Sequence, residues 1–515
     1  MKFSRLAALA ALLPLCALFT GAEEKSLNPK IVKIVDEVSE ARIRATIEKL
    51  VSFGTRNTMS AQDDPNHGVG AARQWILNEM QSYSPRLQVK FDKYRVKKQG
   101  QRIFKDVDLW NVVAVLPGTK MPETQIFVSG HYDSLNLGTR PQGAAAAGPG
   151  GEAPAVGERP QQTPADYEKN ANLPAPGACD DGSGTAAVME LARVMSQYEF
   201  DKTIVFVAFA GEEQGLVGST LLAAKAKKEN QVIEAVLNND IIGTDRSGDG
   251  KMGNTSVSIY SDESMDSLPQ QLSRYAKEVG ERYIPAFKVE SVFMQDRLGR
   301  GGDHTPFQLE GFAAIRISTP NEIYANQHHD TDLLENMSVP YTAKVAKFNA
   351  VVAASLAFAP KPPVIMRAPG QFGGRNGGGN AGEQTANAGG GRRGGAPAAE
   401  GAAAGRGPAA GAAGRRPTPM ISRGTSGYDA VLQWRAAGSD ADIKGYAVVM
   451  RSTEAANWQQ EFYVGKVTSF TLKDVSIDDV KFGVKAIGND GSESLVTAYV
   501  YPPRAKAEIE TVEDK

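Results

Sequence analysis

Cysteine is nearly absent from this chain: two in 515 residues. Cys16 lies in an N-terminal apolar stretch that reads as a removable leader, which leaves Cys179 alone and excludes an intramolecular disulfide from the mature protein. Neither sign of charge dominates, with 57 Lys and Arg against 59 Asp and Glu and a net charge of -2. That balance excludes the electrostatic footprint of a nucleic-acid or anionic-membrane binder. Long apolar runs are also missing. The longest, residues 6–19, is too short to cross a bilayer comfortably, so stable membrane insertion is not expected. Lys2 and Arg5 precede it and Thr20-Gly21-Ala22 follow it, the pattern of a signal peptide over residues 1–22 with cleavage before Glu23. A bulky Leu15 before Cys16 fits a lipoprotein signal poorly. Export to the periplasm or the extracellular space is the expectation.

The chain is long enough for two domains and a large core. Residues 32–53 and 70–82 carry apolar positions at helical spacing, as do 183–197, 216–227, 268–280 and 342–358. Strand-like runs occur at 87–94, 111–116, 125–130, 203–210, 234–242, 257–260 and 313–318. The run Ile204-Val205-Phe206-Val207-Ala208-Phe209-Ala210 is apolar on both faces, which predicts an α/β fold, a mostly parallel mixed sheet sandwiched by helices, over residues 23–366. Two stretches interrupt the pattern. Residues 138–176 are rich in Gly, Ala and Pro without periodicity and read as a mobile insertion. Residues 367–418, rich in Gly, Ala and Arg, carry almost no large apolar side chains and read as a flexible linker. Short alternating strands over 419–515 predict a small all-β sandwich.

Histidine is as informative as cysteine is scarce. The chain has five, and three fall in two short motifs, Gly130-His131-Tyr132-Asp133 and Gln327-His328-His329-Asp330-Thr331-Asp332. Between them lie Cys179-Asp180-Asp181-Gly182-Ser183-Gly184, Gly211-Glu212-Glu213-Gln214-Gly215 and Asn238-Asn239-Asp240. Imidazoles together with carboxylates suit zinc better than magnesium or calcium, which favour oxygen alone. The Glu-Glu pair adds a carboxylate that can act as a base beside the metal, so the set reads as a hydrolytic two-metal site. Taken singly, Asp180-Asp181-Gly182-Ser183-Gly184 is also a turn with a helix cap, and Glu212-Glu213 is also compensation of a helix dipole. Three of the motifs follow apolar strands, where open α/β sheets place their sites.

In these motifs and their order, residues 40–358 resemble the bacterial leucyl aminopeptidase family of co-catalytic di-zinc exopeptidases. Glutamate carboxypeptidase II and the animal glutaminyl cyclases belong to the same wider family. The resemblance implies two Zn²⁺ ions per chain held by His131, Asp180, Glu213, Asp240 and His328, with Asp180 bridging. His131 and Asp240 would complete one ion, Glu213 and His328 the other. It also implies Glu212 as the general base, and a cis peptide bond between Asp180 and Asp181. Asp133, two residues after His131, is placed to hold the second ring nitrogen of that ligand. His328 is preferred to His329 because it precedes an acid, Asp332, by four residues. Asp303, in Asp303-His304-Thr305-Pro306-Phe307, is read as a helix N-cap lining the site, Cys179 as a buried neighbour of the ligand, and His67 as a solvated residue. The activity implied is release of N-terminal residues from peptides, with a carboxypeptidase as the alternative and, less favoured, a glutaminyl cyclase. The C-terminal segment resembles a fibronectin type III domain in Trp434, Tyr446, Leu472 and Val484-x-Ala486, and departs from it at Val480.

Overall fold

The computed structural model describes residues 25–138, 162–366 and 421–500. The expected signal peptide, the linker over 367–418 and residues 139–161 of the insertion lie outside the described residues. The chain divides into two compact units, Met1–Pro360 with Ile487–Leu495, and Lys361–Ala486 with Val496–Lys515. The division therefore falls at Pro360 rather than at residue 366, because Val364 and Ile365 pair with Arg435 and Trp434 of the second unit.

The first unit begins with helices α1 (Pro29–Asp36), α2 (Glu40–Val51) and α3 (Gly68–Tyr83), then strands β1 (Gln88–Val96), β2 (Val107–Leu116) and β3 (Met121–His131). Next come α4 (Pro164–Asn170), α5 (Gly182–Met195), β4 (Lys202–Phe209), α6 (Val217–Lys228), β5 (Val232–Asn239) and β6 (Ser256–Tyr260). It closes with α7 (Leu268–Tyr283), β7 (Lys288–Val292), α8 (His304–Leu309), β8 (Ala314–Ser318) and α9 (Val339–Phe358). The helical pattern over 32–53 is two helices, because the Ser39 hydroxyl accepts from the N–H of Arg42 and starts a new one. A second departure lies in the insertion. Residues 162–176, expected to lack structure, contain α4, started by a capping box in which Thr163 and Asp166 satisfy each other's backbone N–H.

The eight strands form one mixed sheet in the order β1-β2-β4-β3-β5-β8-β6-β7. Its centre, β4-β3-β5-β8, is parallel. Every residue of β4 is buried, as a strand covered by helices on both faces requires. Edge strand β1, paired antiparallel to β2, instead alternates exposed and covered positions. Central strands of one direction bring the carboxyl ends of β3, β4 and β5 together at one rim of the sheet.

The second unit contains β9 (Val364–Ile365), β10 (Ala430–Arg435), β11 (Ile443–Ser452), β12 (Gln460–Gly465), β13 (Ser469–Leu472), β14 (Val480–Gly488) and β15 (Thr497–Ala498). They make two sheets, β13-β10-β9 and β12-β11-β14-β15. Leu432, Trp434, Tyr446, Val448, Phe482 and Val484 form their common core, with the Trp434 and Tyr446 rings 5.7 Å apart and edge-on. No described helix is long and apolar enough to cross a membrane.

Candidate metal centre

The carboxyl end of β3 delivers His131. Its Nδ1 lies 3.1 Å from the main-chain carbonyl of Asp133. With Nδ1–H donated there, the Nε2 lone pair points into the site. That atom is 3.3 Å from Asp180 Oδ1 and 3.9 Å from Asp240 Oδ1. The Asp133 carboxylate stands further from the ring, 3.7 Å from Nδ1. Its closer partners are the N–H groups of Glu212 and Glu213, both at 3.2 Å, and the Thr58 hydroxyl. The Asp133 main-chain carbonyl thus stands closer to the ring than its carboxylate, which holds the Glu212–Glu213 turn.

Asp180 precedes α5, and the Asp180–Asp181 peptide bond is cis. Asp181 caps α5 through Gly184 N–H at 2.8 Å and also accepts from the N–H of His131 at 3.1 Å and of Ile241 at 3.3 Å. One carboxylate therefore ties the helix start to the ends of β3 and β5. A Cβ on Gly184 would stand 2.3 Å from that carboxylate, which is why this turn needs glycine. Glu213 comes from the turn after β4, with Oε1 3.1 Å from His328 Nε2. Gly218 lets the turn close, since a Cβ there would meet the Ala210 carbonyl at 2.3 Å. His328 Nε2 is 3.2 Å from Asp180 Oδ2, and the residue sits at φ 58°, in the left-handed region. Asp180 therefore turns one oxygen to each histidine.

Two acid–imidazole groups result, His131 with Glu212 and Asp240, and Asp180 with Glu213 and His328, the potential ligand atoms within each lying within 4.8 Å of one another. His131 Nε2 and Glu213 Oε1 are buried without a hydrogen-bond partner. Orphaned buried donors of mixed N and O type fit zinc, which would satisfy them. The field agrees. Burial opposes a charge on His131, yet Glu212, Asp133, Asp180 and Asp240 hold its imidazolium form well above the ordinary range. Burial likewise opposes ionisation of Asp180, and the two histidines overcome it and keep that carboxyl well below the usual range. For Glu212, burial wins, aided by Asp240, Glu213 and Asp303 against His131, and its carboxyl is raised well above the ordinary value.

Several residues around the site were not singled out from sequence. Arg316, fully buried in β8, lies 3.1 Å from Asp240 and 2.6 Å from Asp296. A lone arginine inside the apolar Ala314-Ile315-Arg316-Ile317 run was the available signal. Asp332, used only to choose between histidines, accepts the N–H groups of Cys179 at 3.0 Å and Asp180 at 2.9 Å. Arg56 donates to the carbonyls of Leu50, Tyr132, Pro176 and Gly177, and burial lowers its pKa to about 10. Nothing in its sequence context marks it. Asp303 is buried at the N-cap position of α8 as expected, but makes no cap hydrogen bond, and burial pushes its carboxyl up to about 7. Cys179 is buried, His67 is exposed, and His329 is in neither acid–imidazole group.

An α/β sheet carrying paired acid–imidazole groups at its carboxyl rim defines a metallohydrolase. The model of peptidase family M28 matches residues 111–353. A "Probable zinc metalloprotease" of Pyricularia oryzae is 34% identical over 497 residues, covering 90% of this chain and 82% of its own. This chain belongs to peptidase family M28 and is a zinc-dependent peptidase. Among solved structures, the LapA aminopeptidase of Legionella pneumophila is 18% identical, with TM-score 0.45 over 65% of this chain and 76% of its own. The glutaminyl cyclase of Fimbriiglobus ruber is also 18% identical, with TM-score 0.45 over 62% and 95%.

Proposed function

We propose that this protein is a di-zinc aminopeptidase acting on peptides with free N-termini. The observation that supports two ions is the Asp180 carboxylate, with Oδ1 3.3 Å from His131 Nε2 and Oδ2 3.2 Å from His328 Nε2. In this reading His131 and Asp240 would hold one zinc, Glu213 and His328 the other, and Asp180 would serve both. Zinc bound there would supply Lewis acidity and an acidified water. Glu212 stands with His131 and Asp240 and its carboxylate makes no hydrogen bond among the described residues, so its side chain is available to take a proton from water and return it to the departing amine nitrogen. Burial and neighbouring acids raise its carboxyl, which suits a group that must hold a proton between those steps. Asp133 and Asp181 keep the ligand-bearing turns in register, and Arg316 offsets the negative charge of Asp240 and Asp296.

The N-terminal apolar stretch supports export of the enzyme, and the Trp434–Tyr446 core supports a fibronectin type III-like reading of the second unit. Two measurements test the activity. Metal analysis of the purified chain is expected to give two zincs; one zinc with full activity would refute the pair. Free aminoacyl anilides are expected to be cleaved and N-acetylated ones spared. Cleavage of N-blocked peptides from a free C-terminus would instead establish the carboxypeptidase alternative, and cyclisation of N-terminal glutamine the cyclase.

A further inference from the structure

The two halves of the proposed centre are anchored differently. His131 ends β3 and Asp240 directly follows β5, so regular sheet hydrogen bonds fix both. Glu213 and His328 belong to loops; His328 is tied to the segment just before the insertion, and Glu213 to Arg102 in the turn between β1 and β2, whose side chain meets α4. The Leu137 N–H, just before the insertion, donates to the His328 carbonyl at 3.0 Å. Gln162, just after residues 139–161, donates through its side-chain amide back to the Leu137 carbonyl. On the other side, Arg102 donates through one terminal nitrogen to the Glu213 carbonyl. The same nitrogen is 3.9 Å from Glu213 Oε2. The guanidinium also lies 5.5 Å from the centre of the Tyr167 ring, on α4.

Arg102 is not held by its own loop alone. The Gln99–Ile103 bridge closes a tight turn between β1 and β2, and Ile103 is buried in the core. The backbone of Arg102 is therefore fixed, while its side chain, about a third exposed, spans to Glu213 and Tyr167. We propose that Arg102 is a positioning residue for the Glu213–His328 half of the metal centre, and that Tyr167 of α4 sets the guanidinium in place. The insertion's exit helix thereby tunes metal affinity at one half and leaves the His131–Asp240 half unaffected. This rests on the two-zinc reading above.

Outer residues that orient a metal ligand typically change affinity about 10–100-fold when removed. The test is zinc competition against a chelator, read as zinc retained per chain, on wild type, Arg102→Ala, Arg102→Lys, Tyr167→Ala and the Arg102→Ala/Tyr167→Ala double variant. Circular dichroism confirms that each is folded. The first zinc to leave Arg102→Ala should do so on the order of 10-fold more readily than in wild type, and the second should be unchanged. Lysine keeps a donor for the Glu213 carbonyl and should restore part of the loss. Tyr167→Ala should show a smaller loss of the same kind, and the double variant should lose no more than Arg102→Ala, because Tyr167 acts through Arg102. Equal weakening of both zincs, no weakening, or additive losses would overturn the proposal. A wild type holding a single zinc would overturn the two-zinc reading instead, and is seen before any variant is made.

Discussion

Replacing Asp181 separates two contributions that the metal centre combines. Its Oδ1 accepts from Gly184 N–H at 2.8 Å and Ile241 N–H at 3.3 Å, and its Oδ2 from His131 N–H at 3.1 Å. The Ser183 hydroxyl also lies 3.3 Å from Oδ1, but its shorter contact is the Cys179 carbonyl at 2.7 Å. Asp181→Ala therefore leaves three buried backbone donors without an acceptor. An orphaned buried donor costs about 1–3 kcal/mol, and three neighbours sharing one cavity relax together, so the expected loss is about 3–5 kcal/mol. Asp181→Asn can keep its oxygen at the Oδ1 position and turns an amide toward only the His131 N–H. That is one conflict, worth about 1–3 kcal/mol. Urea unfolding of both variants, followed by circular dichroism alongside zinc content, should rank wild type above Asn and Asn above Ala. Zinc should be lost in the same order, since the tied segments carry His131 and Asp240. If alanine is tolerated as well as asparagine, the three hydrogen bonds do not govern the geometry of the centre and the argument fails.

Glu212→Gln should lower turnover of an aminoacyl anilide about 10²–10⁴-fold with zinc content kept, whereas Glu213→Gln should lose zinc; near-normal turnover in the first variant would mean that the roles are misassigned. Asp332→Asn removes one of two acceptors under the Cys179–Asp180 backbone, and equilibrium dialysis should find zinc affinity lowered on the order of 10–100-fold. His304 Nε2 lies 2.7 Å from the Gln295 main-chain carbonyl, which only accepts, so Nε2–H is the donor and carries the proton. Burial, with Arg316 adding, lowers its pKa from 6.5 to about 4. The unfolded chain then takes up the proton first, so this contribution to stability is whole above pH 6.5 and is lost as the pH falls toward 4. The loss is at most about 3 kcal/mol. Urea midpoints measured against pH should fall less steeply in His304→Gln; parallel curves would refute the assignment.

What the sequence made legible followed from burial. The apolar runs that became β3, β4 and β5 are covered on both faces, so they stand out from their surroundings. Candidate ligands sit at or just past their ends, where a strand hands over to a turn. The signal weakened wherever burial was partial. Lys288-Val289-Glu290-Ser291-Val292 forms edge strand β7 with only one of its five residues buried, and no run of apolar residues announced it. The short helix α4 is started by a polar capping box rather than by an apolar stripe, so a segment rich in Gly and Pro hid it. Arg56, Arg102 and Asp332 share a different obscurity. Each does its work on main-chain groups that are distant in sequence, and a carbonyl or an N–H has no residue identity by which a motif could betray it.

The two sides of the site also differ in what fixes their backbones. His131 and Asp240 inherit their positions from sheet registers that the whole core enforces, His131 opposite Phe209 and Asp240 through its N–H to the Ile317 carbonyl at 3.1 Å. Glu213 and His328 have no such ladder. Besides the local bonds of their own turns, their backbones are held by the Asp133 carboxylate, the Arg102 guanidinium and the Leu137 N–H. Side-chain clamps yield more readily than a sheet, because each depends on a single rotamer rather than on a row of cooperating hydrogen bonds. Asp180 faces the rigid side with Oδ1, 3.3 Å from His131 Nε2, and the adjustable side with Oδ2, 3.2 Å from His328 Nε2, so a shift on the adjustable side meets a different oxygen from the one that faces the sheet-held residues.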